Sequence, residues 1–105
     1  MAGKNKAHSD FDEYKGNASK KLNSKQKKVL AAIFNDPCRS DIKWKEVENL
    51  FGALGAEITN GNGSRVRIDL NDKCYSYHRP HPQPEIRAYV VKLIRTHLIS
   101  AGVLP

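Results

Sequence analysis

The sequence is short of most things that a two-domain cofactor enzyme or an exported protein would need. At 105 residues it is one ordinary domain, which excludes a two-domain enzyme with its own cofactor fold. Two cysteines, Cys38 and Cys74, are too few for a disulfide framework and are expected to be unpaired thiols. The longest apolar run, Val29 to Phe34, falls far below the ~20 residues of a bilayer-spanning helix. No apolar segment follows the basic residues at the N-terminus, so no secretory signal is read there. These absences predict a cytoplasmic protein with no membrane partner. Hydrophobic residues make up 39 %, low for a chain packed along its whole length.

Positive charge is what the chain has in excess: 18 Lys and Arg stand against 11 Asp and Glu, a formal charge of +7. A polyanion is the first partner to consider, nucleic acid ahead of anionic lipid. The charge is unevenly placed. Residues 1–28 carry eight lysines against Asp10, Asp12 and Glu13, a net of +5, and the remaining 77 residues carry only +2. The basic segment has almost no apolar residues beyond Phe11, Tyr14 and Leu22. Too little surface can be buried there to offset the entropy of ordering the chain. Residues 1–22 are therefore expected to be a disordered basic tail, either a phosphate-binding arm or a solubilising leader. Residues 23–105 are expected to form a single α+β domain.

Beyond the tail, Val29, Leu30, Ile33 and Phe34 fall at helical spacing, with Asn23 or Ser24 placed to cap the start and Pro37 to end the helix. A second helix is expected after Ser40-Asp41, with an apolar stripe of Trp44, Val47, Leu50, Phe51 and Leu54 and a left-handed cap at Gly55. The period then changes to two. Strands are predicted at Ala56–Thr59, Ser64–Leu70 and Cys74–Arg79, joined by turns at Asn60-Gly61-Asn62-Gly63 and Asn71-Asp72-Lys73. A last helix is expected to open at Pro84, bury Ile86, Val90, Leu93, Ile94, Leu98 and Ala101, and end at Gly102. Short turns imply a three-stranded antiparallel sheet with one apolar face, packed by the helices.

Leu54-Gly55, the Gly-rich turn closing on Gly63-Ser64, the basic strand after it, His81-Pro82 and the helix running to Ala101-Gly102 form a set that resembles the HicA toxins. The resemblance covers about residues 43–104. It implies an α-β-β-β-α fold like that of double-stranded-RNA-binding domains (dsRBD-like), with the first helix as an N-terminal addition. It also implies an mRNA interferase, an endoribonuclease (a hydrolase) of a toxin–antitoxin pair, with mRNA as substrate and a HicB-like antitoxin as partner. The family commonly places a catalytic histidine just after the Gly-Ser pair; this chain has Arg65 there. A guanidinium can bind phosphate but cannot act as a general base. A non-catalytic RNA-binding module on the same fold is the alternative that this substitution implies.

The string His78-Arg79-Pro80-His81-Pro82 is where acid–base chemistry is read. Its prolines fix φ and hold the residues before them extended, so the side chains are presented stiffly. Metal-independent RNA cleavage needs a base for the 2′-hydroxyl, an acid for the leaving oxygen and a cation for the phosphate. His78 and His81 can share the acid–base work, with Arg79 or Arg65 steadying the phosphate. The plainer reading is a rigid strand end with no chemistry. A zinc reading of Cys74, His78 and His81 stops at three ligands, with Cys38 far away in the chain, so no metal or cofactor is expected. His97 is read as a histidine at the edge of the core.

Alternation directs Val66, Ile68 and Leu70 to one face and Arg65 and Arg67 to the other. If Tyr75, Tyr77 and Arg79 share the outer face, it offers phosphate-binding guanidinium groups beside rings on which bases stack. The opposite register buries the tyrosines and exposes Ser76 and His78. The RNA-binding set taken forward is Arg65, Arg67, Arg79, Tyr75 and Tyr77.

Overall fold

The computed structural model describes residues 22–35, 37, 39, 41–80 and 83–105. The expected tail therefore lies outside the described residues, apart from Leu22, which is buried in the core. Cys38, Ser40, His81 and Pro82 also lie outside them.

Helix α1 spans Ser24–Ile33 and starts as its sequence predicts. The Asn23 side chain accepts from the Gln26 amide at 2.8 Å, and the Gln26 side chain accepts from the Asn23 amide at 3.0 Å. This reciprocal box satisfies two of the amides that a helix start leaves unpaired. Helix α2 spans Trp44–Ala53 and begins at the N-cap Lys43, later than the Ser40-Asp41 pair suggested. Asp41 is occupied by Arg39, with two bonds of 3.0 and 2.5 Å. The Lys43 amide instead donates to the Glu46 carboxylate. The helix ends at Gly55, whose φ of +94° is the left-handed value only glycine adopts cheaply. The Ala56 amide there reaches back to the Phe51 carbonyl at 3.0 Å.

Strands β1 (Glu57–Asn60), β2 (Arg65–Leu70) and β3 (Lys73–His78) form an antiparallel sheet in that order. The β2–β3 turn is only two residues, because Leu70 pairs directly with Lys73. Asn71 and Asp72 both have positive φ, +50° and +67°, which is the tight hairpin whose twist matches the strands. Helix α3 spans Ala88–Ser100, so it begins four residues after Pro84. The delay has a long-range cause. The Trp44 amide donates to the Pro84 carbonyl and the Ile86 amide to the Ile42 carbonyl, both at 2.9 Å, which holds 84–86 extended beside 42–44.

The order α2-β1-β2-β3-α3 is the expected α-β-β-β-α layout with α1 added before it. Val66, Ile68, Leu70 and Tyr77 join Val47, Leu50, Phe51, Ile94 and Leu98 in one buried cluster, so α2 and α3 cover a single face of the sheet. Burying each such large apolar side chain contributes roughly 1.5–3 kcal/mol. The buried side of α3 is Val91, Ile94, His97 and Leu98; Leu93, expected in the core, is 47 % exposed. A histidine takes the core position instead because Tyr77 supplies its partner. Arg95 joins α3 to α1, donating to the carbonyls of Ile33 and Asn35 at 2.9 Å each and so capping the end of α1.

Candidate functional site

The face of the sheet away from the helices carries the polar side chains. Register sets Arg65 opposite His78, Arg67 opposite Ser76 and Asp69 opposite Cys74. On the other side of β2, Thr59 lies opposite Arg67 and Glu57 opposite Asp69. Arg65, Arg67, Cys74, Ser76 and His78 are all exposed. Side chains directly opposed on antiparallel strands have Cβ atoms ~5 Å apart, so each of these pairs can meet.

The two arginines of β2 are not equivalent. Arg67 holds Asp69 with two arms, Nε to Oδ2 at 3.1 Å and Nη2 to Oδ1 at 3.2 Å. Asp69 is held below the usual carboxylate range, first by that guanidinium and then by a hydrogen bond from the Cys74 thiol. The Cys74 thiol is pushed up, by desolvation first and by the neighbouring carboxylate next. Arg67 thus already has an anionic partner where it stands. Arg65 makes no side-chain hydrogen bond or ion pair among the described residues. It borders a hollow of about 270 Å³ with Thr59, Gly61, Arg67 and Ser76, and His78 faces it across the strands.

Three of the expected RNA-binding residues lie elsewhere. Tyr77 is 4 % exposed on the inner face, its ring 5.6 Å from that of Trp44 and its hydroxyl bonded to His97. Tyr75 is half-buried on the same face, stacked on the His97 ring with centroids 4.1 Å apart. The register that buries the tyrosines and exposes Ser76 and His78 is therefore the one adopted, and neither ring is on the outer face. Arg79 follows the tyrosines inward: its Nε lies 2.6 Å from Glu48 of α2 and its Nη2 2.5 Å from the Asn60 side chain. No local pattern points to Glu48 as its partner, because the two are 31 residues apart. His97 is wholly buried rather than at the core edge.

The zinc reading meets a geometric obstacle. Cys74 and His78 are both on β3, four positions apart, and a strand spaces such residues by about 13 Å. They cannot share one ion with zinc-length bonds. Of the two histidines assigned acid–base work, the structure places His78; His81 is outside the described residues.

Among the described residues no helix is long and apolar enough to cross a membrane. No curated protein and no solved structure matches the chain significantly. The family model described as the HicA toxin of bacterial toxin–antitoxin matches residues 44–103, from the start of α2 to just past the end of α3 and more than half of the chain. Helix α1 falls outside that match. Toxins of this kind are paired with an antitoxin. The order of elements, the Gly-rich turn before a basic strand and the family match agree: the chain belongs to the HicA family and is a toxin of a bacterial toxin–antitoxin system.

Proposed function

We propose that this toxin acts on RNA through the outer face of its sheet and cleaves it as a metal-independent endoribonuclease. The observation that carries the reading is the pairing of Arg65 with His78, both exposed, on the face that no helix covers among the described residues. Among the described residues nothing engages the Arg65 side-chain donors, and a guanidinium is a strong, permanently charged phosphate ligand. His78 presents its imidazole opposite Arg65 on the same face and is assigned the first proton-transfer role. His81, beyond the stiff Pro80, is assigned the second proton-transfer role. The buried tyrosines take no part, so bases are held by the shallow hollow and the flanking polar side chains rather than by stacked rings. Arg67, paired with Asp69, contributes less to phosphate binding than Arg65.

A second reading rests on one observation, the arginine at the position where the family has its catalytic histidine. On that reading the face binds RNA without cutting it. Incubating purified protein with single-stranded RNA, with and without a chelator, separates the two. Cleavage that survives the chelator and falls about 10²-fold in His78→Ala supports the nuclease. Retarded but intact RNA supports the binding module. Absence of any salt-dependent RNA binding would falsify both readings.

A further inference from the structure

The turn that delivers Arg65 is exposed and rich in glycine. Gly61, Asn62, Gly63 and Ser64 are all exposed, and Gly63 has a φ of +60°. Within the turn, Gly61 donates to the Arg65 carbonyl and Arg65 to the Asn62 carbonyl. Two glycines in four residues leave a wide range of backbone states to be excluded. Yet the turn must fix the base of the Arg65 side chain if Arg65 and His78 are to meet one phosphate.

One residue grips both ends of this turn from the inner face. The Arg79 amide donates to the Ser64 carbonyl at 2.8 Å, at the far end. Its Nη2 donates to the Asn60 side-chain oxygen at 2.5 Å, at the near end. Its Nε donates at 2.6 Å to Glu48, whose carboxylate also accepts from the indole N–H of Trp44. Glu48 and Arg79 are only 20 and 30 % exposed, so the pair is partly shielded from water. Helix α2, whose first turn contains Trp44, thereby anchors the turn through two side chains. Arg79 also adjoins His78 in the chain, so one anchor serves both members of the outer pair.

The geometry points to Arg79 as a positioning residue: through Asn60 and Ser64 it clamps the Gly61–Ser64 turn to α2, setting Arg65 and His78 against each other on the opposite face. The proposal deepens the RNA-directed reading, since the residues it positions are those assigned to phosphate. Arginine is required because two donors must reach two acceptors at once from a planar fork. A lysine ammonium on a flexible stem keeps the charge and loses the span.

The test uses the full chain and removes one arm only. Asn60→Ala leaves the Glu48–Arg79 pair and the Trp44 bond intact, at an exposed site. Expected are amide order parameters at Gly61, Asn62 and Gly63 falling from rigid values of about 0.85 toward about 0.6. The melting temperature and the emission of Trp44, the single tryptophan, stay as in the wild type. Affinity for a labelled ten-nucleotide single-stranded RNA drops about tenfold. Asn60→Asp, which keeps an acceptor oxygen, restores the order parameters, and Arg79→Lys does not. Unchanged order in Asn60→Ala, or no recovery in Asn60→Asp, overturns the clamp. If the wild type binds no RNA, the functional reading falls, and the order parameters alone decide the clamp.

Discussion

Tyr77 and His97 meet between the sheet and α3, the phenolic oxygen 2.9 Å from the imidazole Nδ1. Both are buried, and the other ring nitrogen, Nε2, lies 3.3 Å from the Lys73 carbonyl. A carbonyl can only accept, so the proton sits on Nε2 and Nδ1 accepts from the tyrosine hydroxyl. The ring is thereby fixed as one neutral tautomer with both nitrogens satisfied. Tyr77→Phe leaves Nδ1 without a donor in an apolar setting, where an unmet acceptor costs about 1–3 kcal/mol. The urea midpoint is expected to fall, at unchanged slope, by that free energy divided by the slope. Adding His97→Leu to Tyr77→Phe is expected to cost less than the two single changes together, because the second removes the group that the first orphaned.

The same histidine makes stability depend on pH. Burial holds the His97 imidazole below its ordinary value of 6.5, outweighing the opposite pull of the Lys73 carbonyl and Asp69. The unfolded ring takes a proton near pH 6.5 and the folded ring only at lower pH. Between those values the unfolded state binds more protons, so stability falls as pH falls. Full stability is expected above about pH 6.5, with a decline from there toward pH 5 in urea titrations. A decline of the same size in a folded His97→Leu variant would show that another group is responsible. Asp69 and Asp41 are depressed by their arginines, so their contribution is lost in a separate and more acidic window, below the ordinary carboxylate value of 3.8.

How far these features could be read in advance follows from how local their causes are. The Asn23 cap, the Gly55 and Gly102 helix ends and the inward Val66, Ile68 and Leu70 depend on neighbours within a few residues, and the sequence predicts them all. Along β3, by contrast, Cys74, Ser76 and His78 alternate with Tyr75, Tyr77 and Arg79, so both sets mix polar with apolar groups. Polarity alone could not choose between them. The His97 ring stacked on Tyr75, together with Trp44 and Phe51 beside Tyr77, makes the tyrosine face the inner one. The start of α3 differs from the sequence expectation for a similar reason, since Pro84 is a good first helical residue until Ile42 pairs with Ile86. At the site, the exposed Arg65 is legible from alternation, whereas the exposure of His78 follows from the β3 register that the packed rings decide. The engagement of Arg79 by Glu48 and Asn60 was not, because those partners are 31 and 19 residues away.

Cys74 tests the electrostatics of the outer face away from the proposed phosphate pair. Its thiol is exposed but raised above its ordinary value, so the reactive thiolate is scarce at neutral pH. Asp69→Asn removes the carboxylate that disfavours the thiolate and releases Arg67, whose charge favours it. Alkylation of Cys74 by iodoacetamide at pH 7.5, in a Cys38→Ser background, is expected to speed up severalfold in Asp69→Asn. An unchanged or slower rate would mean that desolvation alone sets the thiol and that the Asp69 contact is inconsequential.

Arg65 carries the most direct consequence for function. If it contributes one phosphate contact, Arg65→Ala should weaken RNA binding at low salt. The slope of log affinity against log salt should then become shallower by about 0.7 for a single-stranded ligand. Arg67→Ala should change that slope less, because Asp69 competes with phosphate for Arg67. Equal slopes in the two variants would remove the distinction between them. Arg65→His then separates the two functional readings. It places an imidazole opposite His78, at the cross-strand spacing of ~5 Å between Cβ atoms. A nuclease that uses Arg65 to hold phosphate loses cleavage in this variant, since a neutral imidazole is the poorer anion ligand. A binding module that lacks only its base gains cleavage where the wild type has none. The expected outcome is loss, because His78 already supplies an imidazole to a guanidinium with no other partner among the described residues.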